Sequence, residues 1–92
     1  MAESALQLAP EPVLARRAAE VSRGIGRLFA RNDIWVLAEM PLRNGRRADL
    51  MCVSDNGEVW IVEIKSSIED FRADQKWPEY RDFCDRFFFA IP

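Results

Sequence analysis

The stretch RADLMCVSDNGEVWIVEIKSS, Arg47 to Ser67, alternates like a β-hairpin, yet Asp49, Glu63 and Lys65 stand at strand positions where the pattern asks for core. Strand side chains alternate between faces, so Glu63 and Lys65 share one. Whether Asp49 joins them depends on the loop. A two-residue loop at Asn56-Gly57 would set Leu50 opposite Glu63. A three-residue loop at Asp55-Asn56-Gly57 sets Val53 against Val59, Met51 against Ile61 and Asp49 against Glu63. Gly57 stands where the last residue of such a loop turns left-handed, so the sequence predicts the second register. Directly opposed residues have Cβ atoms about 4.5–5.5 Å apart.

Two carboxylates that close repel each other and are costly to bury. One resolution is pairing with Arg47 or Lys65 at a solvated sheet end, an arrangement worth little. The other is a hard divalent cation: Mg²⁺ takes oxygen ligands, usually one or two carboxylates completed by water and phosphate. The carbonyl of Ile64 could be a third oxygen. Lys65 could orient or deprotonate a water, or steady charge developing on a phosphate. The spacing leaves both resolutions open. The chain has no histidine, which removes the commonest general base and zinc ligand; chemistry here must use carboxylates, lysine or a hard metal ion.

The elements around these residues follow from periodicity and punctuation. Leu14, Ala18, Val21, Ile25 and Leu28 form one stripe of an amphipathic helix with Phe29 beside it. Pro12 falls in its first turn and Asn32-Asp33 at its end. Arg16, Glu20, Arg23, Arg27 and Arg31 fall on the opposite face. IWVLAEMPL reads as strand one, Asn44-Gly45 as a turn, RADLMCV as strand two and EVWIVEIK as strand three. Ser66 and Ser67, each followed three residues later by an acid, are overlapping capping-box candidates. Pro78 forbids a long helix there, so a short turn of helix and then a second helix from about Asp74 are expected. FFFAI is strand four. Strands two and three are apolar on both faces, so both faces must be covered, and a helix between strands three and four makes that pair parallel. The expected fold is an α/β/α layered domain of order αβββαβ with a mixed sheet. Trp35, Trp60 and Trp77 read as core.

With 92 residues, 49% hydrophobic and 30% charged, the chain suits one modest domain. Residues 1–11 read as a flexible tail and 12–92 as the domain. There is no membrane-length apolar run and no secretory leader, and Cys52 and Cys84 read as buried free thiols, so a cytoplasmic location is expected. The net charge is −2, but residues 1–47 carry eight arginines against five acids and the remainder five basic residues against ten acidic ones. Such a division suits a nucleic-acid face beside a metal site and is equally compatible with a chance distribution of surface charge. Arg23 and Arg27, with Arg16, Arg46 and Arg47, are the expected phosphate contacts.

RADL followed by EIK resembles the bipartite signature of the PD-(D/E)XK nuclease superfamily, whose core runs helix, three strands, helix, strand. The longer NGEVWIVEIKSS and DFRADQKWPEYRDFCDRFFFAI are similar to the MmcB-like family of bacterial DNA-repair proteins, a branch of that superfamily, with similarity from about Val13 to Ile91. The resemblance implies a restriction-endonuclease-like fold, Asp49 and Glu63 as ligands of Mg²⁺ or Mn²⁺, Lys65 as the catalytic lysine and DNA as substrate. Ala48 replaces the signature's proline. Lys76 and Tyr80 stand where related nucleases carry Gln-x-x-x-Tyr. Glu39 is the better candidate for an extra carboxylate than Glu20, and Ser66 beside Lys65 is a further candidate. Such proteins generally continue into a fifth strand, so the chain is expected to be truncated after its fourth, or a partner chain to cover that edge.

Overall fold

A computed structural model describes residues 11–91. Residues 1–10 of the expected tail, and Pro92, lie outside the described residues. Helix α1 spans Glu11–Arg31, so its first residue falls within the expected tail. Strands β1 (Trp35–Pro41), β2 (Arg47–Val53) and β3 (Val59–Ile64) follow as a meander. A short helix α2 (Ile68–Ala73) and a 3-10 helix (Trp77–Phe83) then lead to β4 (Arg86–Ala90). The sheet order is β1-β2-β3-β4, antiparallel twice and then parallel.

The ends of α1 and α2 follow local chemistry. Asp33 adopts φ 58 just past α1, the left-handed stop that Asp and Asn tolerate better than most residues. The Asn32 side chain donates to the Leu28 carbonyl at 2.8 Å. Of the two expected caps, Ser67 is the one used: its hydroxyl accepts from the Asp70 amide at 3.1 Å, and the Asp70 carboxylate accepts in return from the Ser66 amide. The second helix starts later than expected and is 3-10, with Pro78 in its first turn, where a missing N–H costs nothing. Its position is tied to the first hairpin: Asn44 Nδ2 donates to the Glu79 carbonyl, and the Arg46 guanidinium grips the Glu79 carboxylate through two bonds of 3.0 and 3.2 Å.

The sheet is covered on both faces. On one, Leu50, Cys52 and Val62 pack beneath Ile25 and Phe29 of α1. On the other, Ile61 and Ala48 pack beneath Tyr80 and Phe83 of the 3-10 helix. Two expectations about packing are corrected. Leu28 is 55% exposed, because Phe29, four residues after Ile25, takes the sheet-facing position and meets the Trp60 ring edge-on at 5.9 Å. Trp35 is 78% exposed: it is the first residue of edge strand β1, which no further strand covers among the described residues. Strand β4 is the other sheet edge among the described residues, the edge at which truncation or a covering partner chain is expected. No described helix is long and apolar enough to cross a membrane.

The hairpin register is the three-residue one. Val53 pairs with Val59 and Met51 with Ile61, the Ser54 amide bonds the Glu58 carbonyl at 2.9 Å, and Gly57 adopts φ 87. A Cβ on Gly57 would meet nothing within 4 Å, so the cost of replacing it is the backbone's alone. Gly57→Ala is expected to destabilise the domain by about 1–2 kcal/mol, read as a lower urea midpoint at unchanged slope. Gly57→Asn should cost less, and an unmoved midpoint for the alanine variant would contradict the left-handed loop.

Candidate functional site

The β2–β3 ladder pairs residues as far as Leu50 with Val62 and then opens. At the next level, where Asp49 faces Glu63, side chains replace the backbone partners. The Asp49 amide donates to Glu63 Oε2 at 2.7 Å, and the Ile64 amide donates to Asp49 Oδ2 at 2.8 Å. Each carboxylate thus accepts from a backbone amide of the other strand. Ile64, expected to offer its carbonyl, contributes its amide here.

The opening coincides with an unusual backbone position on the neighbouring strand. Glu39, on β1 beside Asp49, adopts φ 55, and the β1–β2 register skips it between Ala38 with Leu50 and Met40 with Ala48. A left-handed residue inside a strand is costly and marks a site held by its surroundings. Beyond it the sides exchange. Val36 packs with Leu50 under α1, whereas Met40 and Ala48 pack with Ile61 and Tyr80 under the 3-10 helix. The expected alternation therefore breaks at the acids.

Burial sets the electrostatics. Glu63 is 7% exposed, and burial pushes its carboxyl up to about 7. The Asp49 amide bond, the Tyr80 hydroxyl and Lys65 work downward, while the Asp49 charge adds to the rise. Asp49 is also raised, first by burial and then by Glu39, against the Ile64 amide, Lys65 and Arg47. Tyr80 is buried against the Phe87 ring with its hydroxyl on Glu63; burial and that acid push it up to about 12. Glu39 is exposed and lines, with Asp49, Ile64, Ala38 and Ser22 and Ala18 of α1, a recess of about 290 Å³.

Lys65 makes its ion pair elsewhere. Its Nζ lies 2.5 Å from Asp74 Oδ2 and its charge reaches the two acids only through space. Asp74 was not a sequence candidate; its signal was an acid two and three residues ahead of Lys76 and Trp77, the spacing of an Asx turn. Ser66 spends its amide and hydroxyl on Asp70. Lys76 is exposed and gives its amide to Asp74. Arg46 is held by Glu79, whereas Arg47, Arg16, Arg23 and Arg27 are exposed.

Among the described residues no three Asp, Glu, Cys or His side chains gather as a ready-made cation site. Asp49 and Glu63 offer a carboxylate pair. That set fits Mg²⁺, which commonly takes one or two carboxylates and fills its octahedron with water and phosphate.

The family model of MmcB-like proteins, described as DNA repair protein MmcB-like, matches residues 7–92, and the chain belongs to that family. No curated protein matches. Among solved structures the chain is similar to the SPO1766 protein of unknown function from Silicibacter pomeroyi, at 38% identity with a TM-score of 0.68. The similarity covers 92% of this chain and 53% of that one, so the chain spans about half the length of the solved structure it matches.

The raised Glu63 carboxyl makes stability depend on pH. A folded-state value of about 7 against an ordinary 4.5 means that the fold holds a proton the unfolded chain releases. Glu63 therefore stabilises below about pH 4.5 and loses that contribution as pH rises through about 7, by about 3 kcal/mol at most. In chelator, wild type should lose stability between pH 5 and pH 8 relative to Glu63→Gln, read from urea midpoints. Parallel curves for the two proteins would contradict the buried acid.

Proposed function

For this member of the MmcB-like family we propose metal-dependent cleavage of a DNA phosphodiester in repair, by the chemistry of the PD-(D/E)XK nucleases. The observation that carries it is the meeting of Asp49 and Glu63 at an opened strand end, with Lys65 two residues beyond Glu63. Asp49 and Glu63 would hold a Mg²⁺ or Mn²⁺ ion, which when bound supplies Lewis acidity, neutralising charge on the scissile phosphate and activating a water. Tyr80 orients Glu63 from the 3-10 helix. Lys65 places a positive charge where charge develops on the phosphate. Glu39, exposed across the recess, extends the acidic set. Arg47 and the exposed arginines of α1 hold the DNA backbone.

The second reading is a nuclease-like module that binds DNA, or a repair partner at the β4 edge, without cutting. It is favoured by the ion pair that engages Lys65 with Asp74.

A cleavage assay on duplex, single-stranded and branched DNA, with Mg²⁺, Mn²⁺ or chelator, separates the two. Divalent ion at a hundredfold excess over its dissociation constant should stabilise wild type by about 2.7 kcal/mol. Asp49→Asn should remove that response together with cleavage. Lys65→Ala should keep the response and cut about 100- to 1,000-fold more slowly. Wild type that binds the ion and cuts no DNA would favour the binding module; melting indifferent to both ions would reject the metal site.

The arginines are tested by salt. Each lost phosphate contact lowers the slope of log affinity against log salt by about 0.9 on duplex DNA. The Arg23→Ala, Arg27→Ala double variant should reduce the slope by about two such steps. An unchanged slope would remove α1 from the DNA surface.

A further inference from the structure

Lys65 is held from outside its own hairpin. The Lys65 and Asp74 side chains are 12% and 4% exposed, so this ion pair is largely withdrawn from water. Charges leave water only where geometry compensates them, and Asp74 is compensated from two sides. Its Oδ1 accepts the amides of Lys76 at 2.8 Å and Trp77 at 2.9 Å, while Oδ2 faces the lysine. Its own amide donates to the Phe71 carbonyl, closing α2. Burial works to raise the Asp74 carboxyl, but Lys65 and the two amides outweigh it and hold it below the ordinary carboxylate range.

The division of labour between the two oxygens is informative. Starting the 3-10 helix needs only an acceptor for the Lys76 and Trp77 amides, which Oδ1 supplies. Oδ2 is left for Lys65. Because Asp74 is fixed by three backbone bonds, the long flexible lysine has to come to it rather than the reverse. The Phe89 ring, 5.7 Å from Nζ, bounds the ammonium from β4. Lysine carries a large rotamer entropy, and an anchored one has already lost it before substrate arrives.

We propose that Asp74 is a positioning residue for Lys65: it fixes the ammonium at the end of β3, two residues beyond Glu63, so that Lys65 meets a phosphate oxygen from a predetermined place. This rests on the nuclease reading of the same site. It makes the link between α2 and the 3-10 helix part of the active centre, acting through Lys65 without touching substrate.

The test is a double-variant cycle. Asp74→Asn keeps an oxygen for the two amides and removes the charge that holds Lys65. It should lower kcat for DNA cleavage about 10- to 100-fold, with KM for DNA and the Mg²⁺-induced shift in melting temperature unchanged. In a Lys65→Ala background the same substitution should have no further effect. Should Asp74→Asn fail to fold, Asp74→Ser, whose hydroxyl can accept from the same amides, takes its place in the cycle. An equal loss in both backgrounds, an unchanged kcat, or an effect confined to KM would overturn the proposal. If wild type cuts no DNA, the nuclease reading falls by itself and the cycle is read on DNA affinity. Weaker binding on loss of Asp74 only while Lys65 is present supports the positioning role. Unchanged or tighter binding overturns it.

Discussion

The domain turns on one exchange of hydrogen bonds. Where β2 leaves its regular pairing with both neighbours, the Asp49 amide and the Ile64 amide take the carboxylates of Glu63 and Asp49 as partners. A buried amide left without a partner would cost about 1–3 kcal/mol, so the acids repair the opening that they occupy. The same exchange withdraws Glu63 from water and binds the electrostatics of the site to the integrity of the hairpin. Tyr80 reaches Glu63 from one side of the sheet, and α1 walls the recess beside Asp49 from the other. Both covering layers therefore meet at this level of the hairpin.

That arrangement answers how two neighbouring acids can sit in a small domain. Neither Arg47 nor Lys65 bonds to them. The repulsion is relieved by backbone dipoles, by the Lys65 charge acting through space and by a proton that burial holds on Glu63 until about pH 7. A divalent ion would replace that proton and supply in one charge what the amides supply in fractions.

Much of this was legible in the residues. The parity of Asp49 and Glu63, with glycine at position 57, determines the loop length and hence the register. The stripe through Val21 and Ile25, the serine cap and the strand order follow from periodicity and turn chemistry. What was not legible depends on contacts between distant segments. The Lys65–Asp74 pair requires knowing that the chain bends after Ala73 and starts a 3-10 helix at Trp77. The Arg46–Glu79 pair joins residues in different layers. The outward positions of Leu28 and Trp35 reflect which neighbours compete for the core and where the sheet ends, and local pattern contains neither. The roles proposed for the acids rest on resemblance to a family signature, since spacing alone left a surface ion pair and a metal site equally open.

Glu39 shows how strain and site are related. Its left-handed backbone would cost of order 1–3 kcal/mol in isolation, and no glycine stands there to relieve it. In return the chain changes sides between Leu50 and Ala48, bringing Ala48 and Met40 onto the layer that contains Tyr80. The acids, the opened ladder and the strained residue opposite them are thus three views of one local choice: regular pairing is given up over one residue level, and an acidic recess against α1 stands in its place.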